Sequence, residues 1–161
     1  MFQYDFITTQ DTDSGISYVS ADFKVGNVTY IAIFSDDKDT LDFLTENQEI
    51  APIIRNKKIY SFKFAVKSYI ELGHDDLYAP PIDHDFGKNE IKELKEHLER
   101  LMLEHYLLFK PNGYVFIAER PSLARMYRKM CCKPSVLMAD FVPIMNLGDE
   151  QDCFIVKTPN Y

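Results

Sequence analysis

Hydrophobic and polar positions alternate through the first third of the chain. Phe2, Tyr4 and Phe6 alternate with Gln3, Asp5 and Ile7, which predicts a strand, and the polar stretch from Thr8 to Ser14 reads as a turn. Ile16, Tyr18, Val19, Ala21, Phe23 and Val25 form a second β-rich run. Gly26-Asn27 then makes a tight turn into the branched and aromatic run Val28 to Phe34. Three strands joined by short turns predict an antiparallel meander. Leu41, Phe43 and Leu44 predict a short helix between Asp39 and Asn47, and Pro52 breaks the pattern after it.

Lys58 to Leu72 reads as a further strand. Tyr60, Phe62, Phe64, Val66 and Ser68 share one face, and Ser61, Lys63, Ala65 and Lys67 the other. The stretch from Gly73 to Gly87, with Pro80-Pro81 at its middle, is a loop. From Asn89 to Phe109, Ile91, Leu94, Leu98, Leu101, Met102 and His105 recur mostly at spacings of three and four. Lys92, Glu93, Lys95, Glu96, Glu99 and Arg100 are expected on the opposite, solvated side of this long amphipathic helix. Gly87 or Asn89 would cap its start, and Pro111-Asn112-Gly113 would end it. Gly113 to Glu119 is almost continuously apolar, as in a strand covered on both faces. Pro121 opens a second helix from Ser122 to Cys132, with Leu123, Met126, Tyr127 and Met130 as its apolar stripe. Val136 to Val142 is apolar until Pro143 interrupts it, and Asp152 to Lys157 is a last short strand.

This order predicts an α+β fold with a mixed, mostly antiparallel sheet of about six strands, one long helix and one or two short ones. Tyr60, Phe62, Phe64, Leu94, Leu98, Leu101, Phe116 and Ile117 are its expected core. A length of 161 residues, without repeats or a linker, is that of a single domain spanning 1–161. No apolar run approaches the roughly 20 residues of a membrane helix, and Met1 to Asp5 lacks the basic and apolar regions of a secretory signal. Cys131, Cys132 and Cys153 are an odd count without a C-x-x-C spacing. They read as small, mostly buried thiols of a cytoplasmic protein, with no disulfide framework and no cofactor.

Charge changes the picture more than composition does. The net charge of −7 argues against a general nucleic-acid binder. That total conceals segregation: residues 1–50 carry ten acids against Lys24 and Lys38. Residues 51–70 carry Arg55, Lys57, Lys58, Lys63 and Lys67 with no acid. Around the second helix, Arg120, Arg125, Arg128, Lys129 and Lys133 face only Glu119. The two basic segments either neutralise the protein's own acids or meet as one positive face. In the second case Lys63, Lys67, Arg120, Arg125, Arg128 and Lys129 would bind a protein or another anionic partner.

The loop is the other chemically suggestive segment. His74-Asp75-Asp76 and Asp83-His84-Asp85 place two imidazoles and four carboxylates within one short stretch. Folded together, His74, Asp76, Asp83 and His84 would suit a metal, although they follow no established ligand spacing. A solvated acidic loop opposite the N-terminus of the long helix is the simpler reading. His97 and His105, more than two helical turns apart, are expected as partly buried helical histidines. Ser122 is expected to cap its helix.

From Tyr60 to Lys157 the order is strand, loop, long helix, strand, helix, strand. This order resembles the second half of the GNAT-like, acetyl-CoA-dependent N-acetyltransferase fold. The stretch Tyr114 to Met130 (YVFIAERPSLARMYRKM) is similar to the strand-plus-helix segment in which those enzymes carry a tyrosine, here Tyr127, within Ala124-Arg125-x-Tyr127-Arg128. The resemblance implies an acyltransferase that holds a pyrophosphate on a glycine-rich loop before the long helix. Here that loop lacks closely spaced glycines and carries Asp75, Asp76, Asp83 and Asp85, which repel a pyrophosphate.

Two classes of function follow. One is a non-catalytic binding module acting on a protein or an anionic or nucleic-acid partner through a basic face. By analogy with other small chains lacking a catalytic motif, its setting would be toxin–antitoxin or phage–host conflict. The other is an enzyme: a diverged acyltransferase, or a metal-dependent hydrolase using the loop 73–87.

Overall fold

In the computed structural model, which describes residues 2–13, 15–73, 76, 80 and 87–161, the N-terminal third builds the expected meander. Its strands are β1 (Ile7–Gln10), β2 (Ser17–Val25) and β3 (Val28–Ser35). Val25 pairs with Val28 across the Gly26-Asn27 turn, where Gly26 takes a φ of 59° that suits glycine. β1 begins at Ile7 rather than Phe2 and includes Thr8 to Gln10, which the sequence pattern assigns to a turn. The backbone N–H groups of Gln3 and Tyr4 donate to Glu104 Oε1 at 2.7 and 3.2 Å, so these donors are taken before a ladder can use them.

Two short helices follow, α1 (Lys38–Leu44) and α2 (Ala51–Ile54). Asp37 caps α1, its side chain accepting from Asp39 N at 3.1 Å. Pro52 does not break structure as expected; it sits in the first turn of α2, where a missing N–H costs nothing. The next strand is also shorter than its pattern suggests. β4 (Ile59–Val66) gives way to α3 (Lys67–Glu71), so Ser68 and Lys67 belong to a helix and not to the two strand faces.

The long helix is α4 (Lys88–Phe109). Gly87 precedes it, and the Glu90 carboxylate accepts the Gly87 N–H at 3.0 Å. Lys110 ends it in the left-handed conformation, with φ 51°. β5 (Gly113–Ile117), α5 (Pro121–Cys132) and β7 (Cys153–Lys157) lie where the pattern places them, and β6 (Val142–Leu147) is additional. β6 forms despite Pro143 because it is an edge strand, where a residue without an N–H is tolerated. A single 3-10 turn, Val136–Met138, joins α5 to β6.

The fold is α+β, with seven strands in the order β1-β2-β3-β4-β5-β7-β6. Every pair is antiparallel except β4 and β5, which pair in parallel only from Ile59–Gly113 to Ser61–Val115. Five α-helices lie among the described residues, more than the two or three expected. Phe34, Tyr60, Phe62, Tyr114, Phe116 and Phe154 form one face of the sheet and pack with Leu94, Leu98 and Leu101 of α4 and Tyr127 of α5. Ile59, Val115 and Ile155 form the other face and pack with Leu44, Ile50 and Ile54 around α1 and α2. Of the expected core residues, only Ile117 is part-buried, and it packs on this second cluster. No helix among the described residues is long and apolar enough to cross a membrane.

Candidate functional site

The sheet separates the basic residues that the sequence groups together. Lys63 alternates with Phe62 and Phe64, so it shares the face of Ser61 and Val115, covered by α1 and α2. α5 packs on the opposite face, where Tyr127 sits edge-on between Phe116 and Phe154 at centroid distances of 5.4 and 5.6 Å. Lys63 and the cations of α5 therefore do not meet on one rim. Lys67 is bound locally: its ammonium pairs with Asp22 of β2 and lies 3.8 Å from Glu71. The hydrogen bond to Asp22, first, and its charge raise the Lys67 pKa.

Arg120 is also engaged. It is the residue before the first turn of α5, and its Nη2 donates to Asp76 Oδ2 at 3.0 Å. Its Nε is buried with no hydrogen-bond partner. Asp76 is the one metal candidate among the described residues, since His74, Asp83 and His84 lie outside them. No group of three metal-ligating side chains occurs among the described residues.

Arg125, Arg128 and Lys129 remain. At about 100° per residue, Arg125 and Lys129 share the side of α5 opposite Tyr127, and Arg128 lies at its flank. Arg125 and Lys129 are exposed, Arg128 is half-buried, and none of the three pairs with an acid among the described residues. The helix that presents them is held from beneath by Ala124 and Tyr127, both buried. Its C-terminal end is fixed by Lys95 of α4, whose ammonium donates to the Lys133 carbonyl at 2.6 Å. The result is a small, rigidly mounted cationic stripe. Ser122 is exposed in its first turn, and no side chain caps the helix there, contrary to expectation.

The remaining candidates resolve into structural roles or single features. His105 is wholly buried, stacked on Phe34 at 4.0 Å, and bonded through Nδ1 to the Tyr114 hydroxyl at 2.6 Å. Burial, with a smaller contribution from Lys58, lowers its pKa to about 3, so it stays neutral. His97 is half-buried, with Nδ1 2.6 Å from the Tyr4 hydroxyl and Nε2 3.8 Å from Glu93. Cys153 is buried and Cys131 half-buried, but Cys132 is exposed, its thiol 3.9 Å from the Met145 sulfur. Burial pushes the Cys131 thiol up to about 11 and the Cys153 thiol up to about 12.

Two features escape the sequence pattern. Glu99 and Glu104, which the helical pattern leaves among solvated or unassigned residues, are 3% and 2% exposed. They stand at about ±100–120° from Leu98, so α4 is buried across far more than one stripe. Glu104 ties down the N-terminal segment. Glu99 forms part of the wall of an apolar cavity of about 40 Å³ between α4, α5 and the strands β5 to β7. Only the unusual breadth of the helix's buried arc could have signalled this, and that depends on what packs against it. Compared with known proteins, the chain matches no family model, no curated protein and no solved structure.

Proposed function

We propose that this chain is a non-catalytic binding module that engages an acidic protein surface through the outward face of α5. The observation that carries this reading is the set Arg125, Arg128 and Lys129, unpaired among the described residues and mounted on a helix anchored to the sheet by Tyr127. Long cationic side chains without an internal partner supply complementarity and steering to an oppositely charged surface. Three cations are few for a phosphate backbone, where about 6–10 contacts are usual for strong salt dependence. An acidic patch on a protein fits that footprint.

The test uses fluorescence anisotropy with a labelled oligoglutamate peptide and a labelled DNA duplex at about 50 and 200 mM salt. The peptide is expected to bind more tightly, to weaken as salt rises and to lose binding in Arg125→Glu/Arg128→Glu. Stronger binding of the duplex would transfer the face to nucleic acid. Peptide binding that ignores both salt and charge reversal would remove α5 from the function.

A further inference from the structure

The cavity beneath α5 has a carboxylate in a largely apolar wall. Met102, Met130, Met138, Phe116, Phe141 and Phe154 are among the residues that line it. Glu99, from the middle of α4, contributes a carboxylate. One of its oxygens, Oε2, accepts the backbone N–H of Ser135 at 2.9 Å. The other has no hydrogen-bond partner among the described residues. The Ser135 hydroxyl, in the chain segment that leaves α5, is buried without a partner but does not line the cavity. The second Glu99 oxygen is not sealed from solvent, so it stays open to a donor entering the apolar cavity. Lys95, one turn earlier on α4, does not pair with it and is turned to the Lys133 carbonyl.

We infer that this cavity is a binding site for a primary ammonium group carried on a short aliphatic chain. The ammonium supplies three donors and a positive charge, which match the free oxygen of Glu99. The aliphatic chain lies against aromatic rings and methionines, and methionine side chains adapt readily to an irregular occupant. Size sets the rest of the ligand. A cavity of about 40 Å³ exceeds what one water needs, about 10–15 Å³, but falls well short of the ~150 Å³ that admits benzene. An unbranched chain of a few atoms fits, and a ring does not. Such a group is found on a free alkylamine and on a lysine side chain. This site is independent of the cations on the outer face of α5.

The experiment records Met methyl resonances and thermal unfolding with n-butylammonium, its isosteres n-butanol and butyrate, and Nα-acetyl-lysine methylamide. The expected result is a saturable shift of the Met130 and Met138 methyls and a raised Tm with n-butylammonium, with at least a tenfold weaker response to butanol and butyrate. Glu99→Gln is expected to remove the preference for the ammonium over the alcohol. A stronger response to the lysine derivative than to n-butylammonium assigns the source to a protein lysine; the reverse assigns it to a free amine. Equal responses to butylammonium and butanol, or no response to either, overturn the inference. That comparison uses the unaltered protein, so it decides the matter even if Glu99→Gln does not fold.

Discussion

The Nδ1 atom of His105 lies 2.6 Å from the hydroxyl oxygen of Tyr114, and neither residue has any exposed surface. The Tyr114 hydroxyl also donates to the Met102 carbonyl at 3.4 Å, so the pair links α4 to the centre of the sheet at β5. Phe34 and Phe109 stack on the imidazole at 4.0 and 4.5 Å, which leaves no water to solvate an imidazolium.

That environment makes acid stability depend on His105. Its folded pKa, about 3, lies below the value of about 6.5 in an unfolded chain. Between those values the unfolded state binds the extra proton, so stability rises with pH through this window and falls as pH drops from 6.5 toward 3. One proton corresponds to a slope of about 1.4 kcal/mol per pH unit. In His105→Asn, which keeps a hydrogen-bonding atom toward Tyr114 but does not titrate, urea unfolding across this range should lose about one proton's worth of pH dependence. An unchanged slope would show that His105 protonates freely in the folded state.

Glu104 should hold the first residues of the chain to α4. Its Oε1 accepts from Gln3 and Tyr4, and its Oε2 accepts from Arg100 Nε at 2.8 Å. Hydrogen bonds to a charged group contribute about 1.5–3 kcal/mol each. Glu104→Ala is expected to cost at least about 2 kcal/mol. Hydrogen exchange should show faster amide exchange at Gln3 and Tyr4, with the centre of α4 changed only by the global loss. Protection at Gln3 and Tyr4 that persists in the variant would mean another group holds them.

Leu98 is fully buried between α4 and the aromatic face of the sheet. Truncation to alanine removes apolar contact and leaves a space that so tightly built a face cannot close, at a cost of about 2–5 kcal/mol. The urea midpoint of Leu98→Ala reads this directly, and a midpoint equal to that of the parent would place the helix in another register.

The three thiols should differ in reactivity. Cys132 is exposed, whereas burial raises the pKa of the half-buried Cys131 and the buried Cys153. Limited iodoacetamide at pH near 8, followed by peptide mass spectrometry, should label Cys132 first, Cys131 more slowly, and Cys153 only after denaturation. Early labelling of Cys153 would contradict the packing around Ile50 and Leu147.

Acetyl-CoA is expected not to bind. The sequence between α3 and α4 includes Asp75, Asp76, Asp83 and Asp85, charges that oppose a pyrophosphate, and Tyr127 is buried between two phenylalanine rings. Calorimetric titration should give only the heat of dilution. A low-micromolar isotherm would favour the diverged acyltransferase over the binding module.

Periodicity by itself determined the elements whose burial is decided by one neighbour: the hairpin about Gly26-Asn27, the aromatic face of β4, the doubly covered β5 and the stripe of α4. In each, alternation or a three-to-four spacing records directly which side meets the core. Tertiary structure alone decided where regular pattern yields to a specific partner. Lys67 leaves its strand for a helix in which it meets Asp22 and Glu71, and Pro143 joins a strand because that strand is an edge. Gln3 and Tyr4 leave the strand pattern because a carboxylate some hundred residues away takes their N–H groups. The same reason governs the sites. Charge counts along the chain set Lys63 beside Arg125, but a sheet has two faces, and which helix covers which face is settled only when distant segments pack. Glu99 reads as one more surface charge on a helical wheel; the packing of α5 and β6 beside it places it in the wall of an apolar cavity.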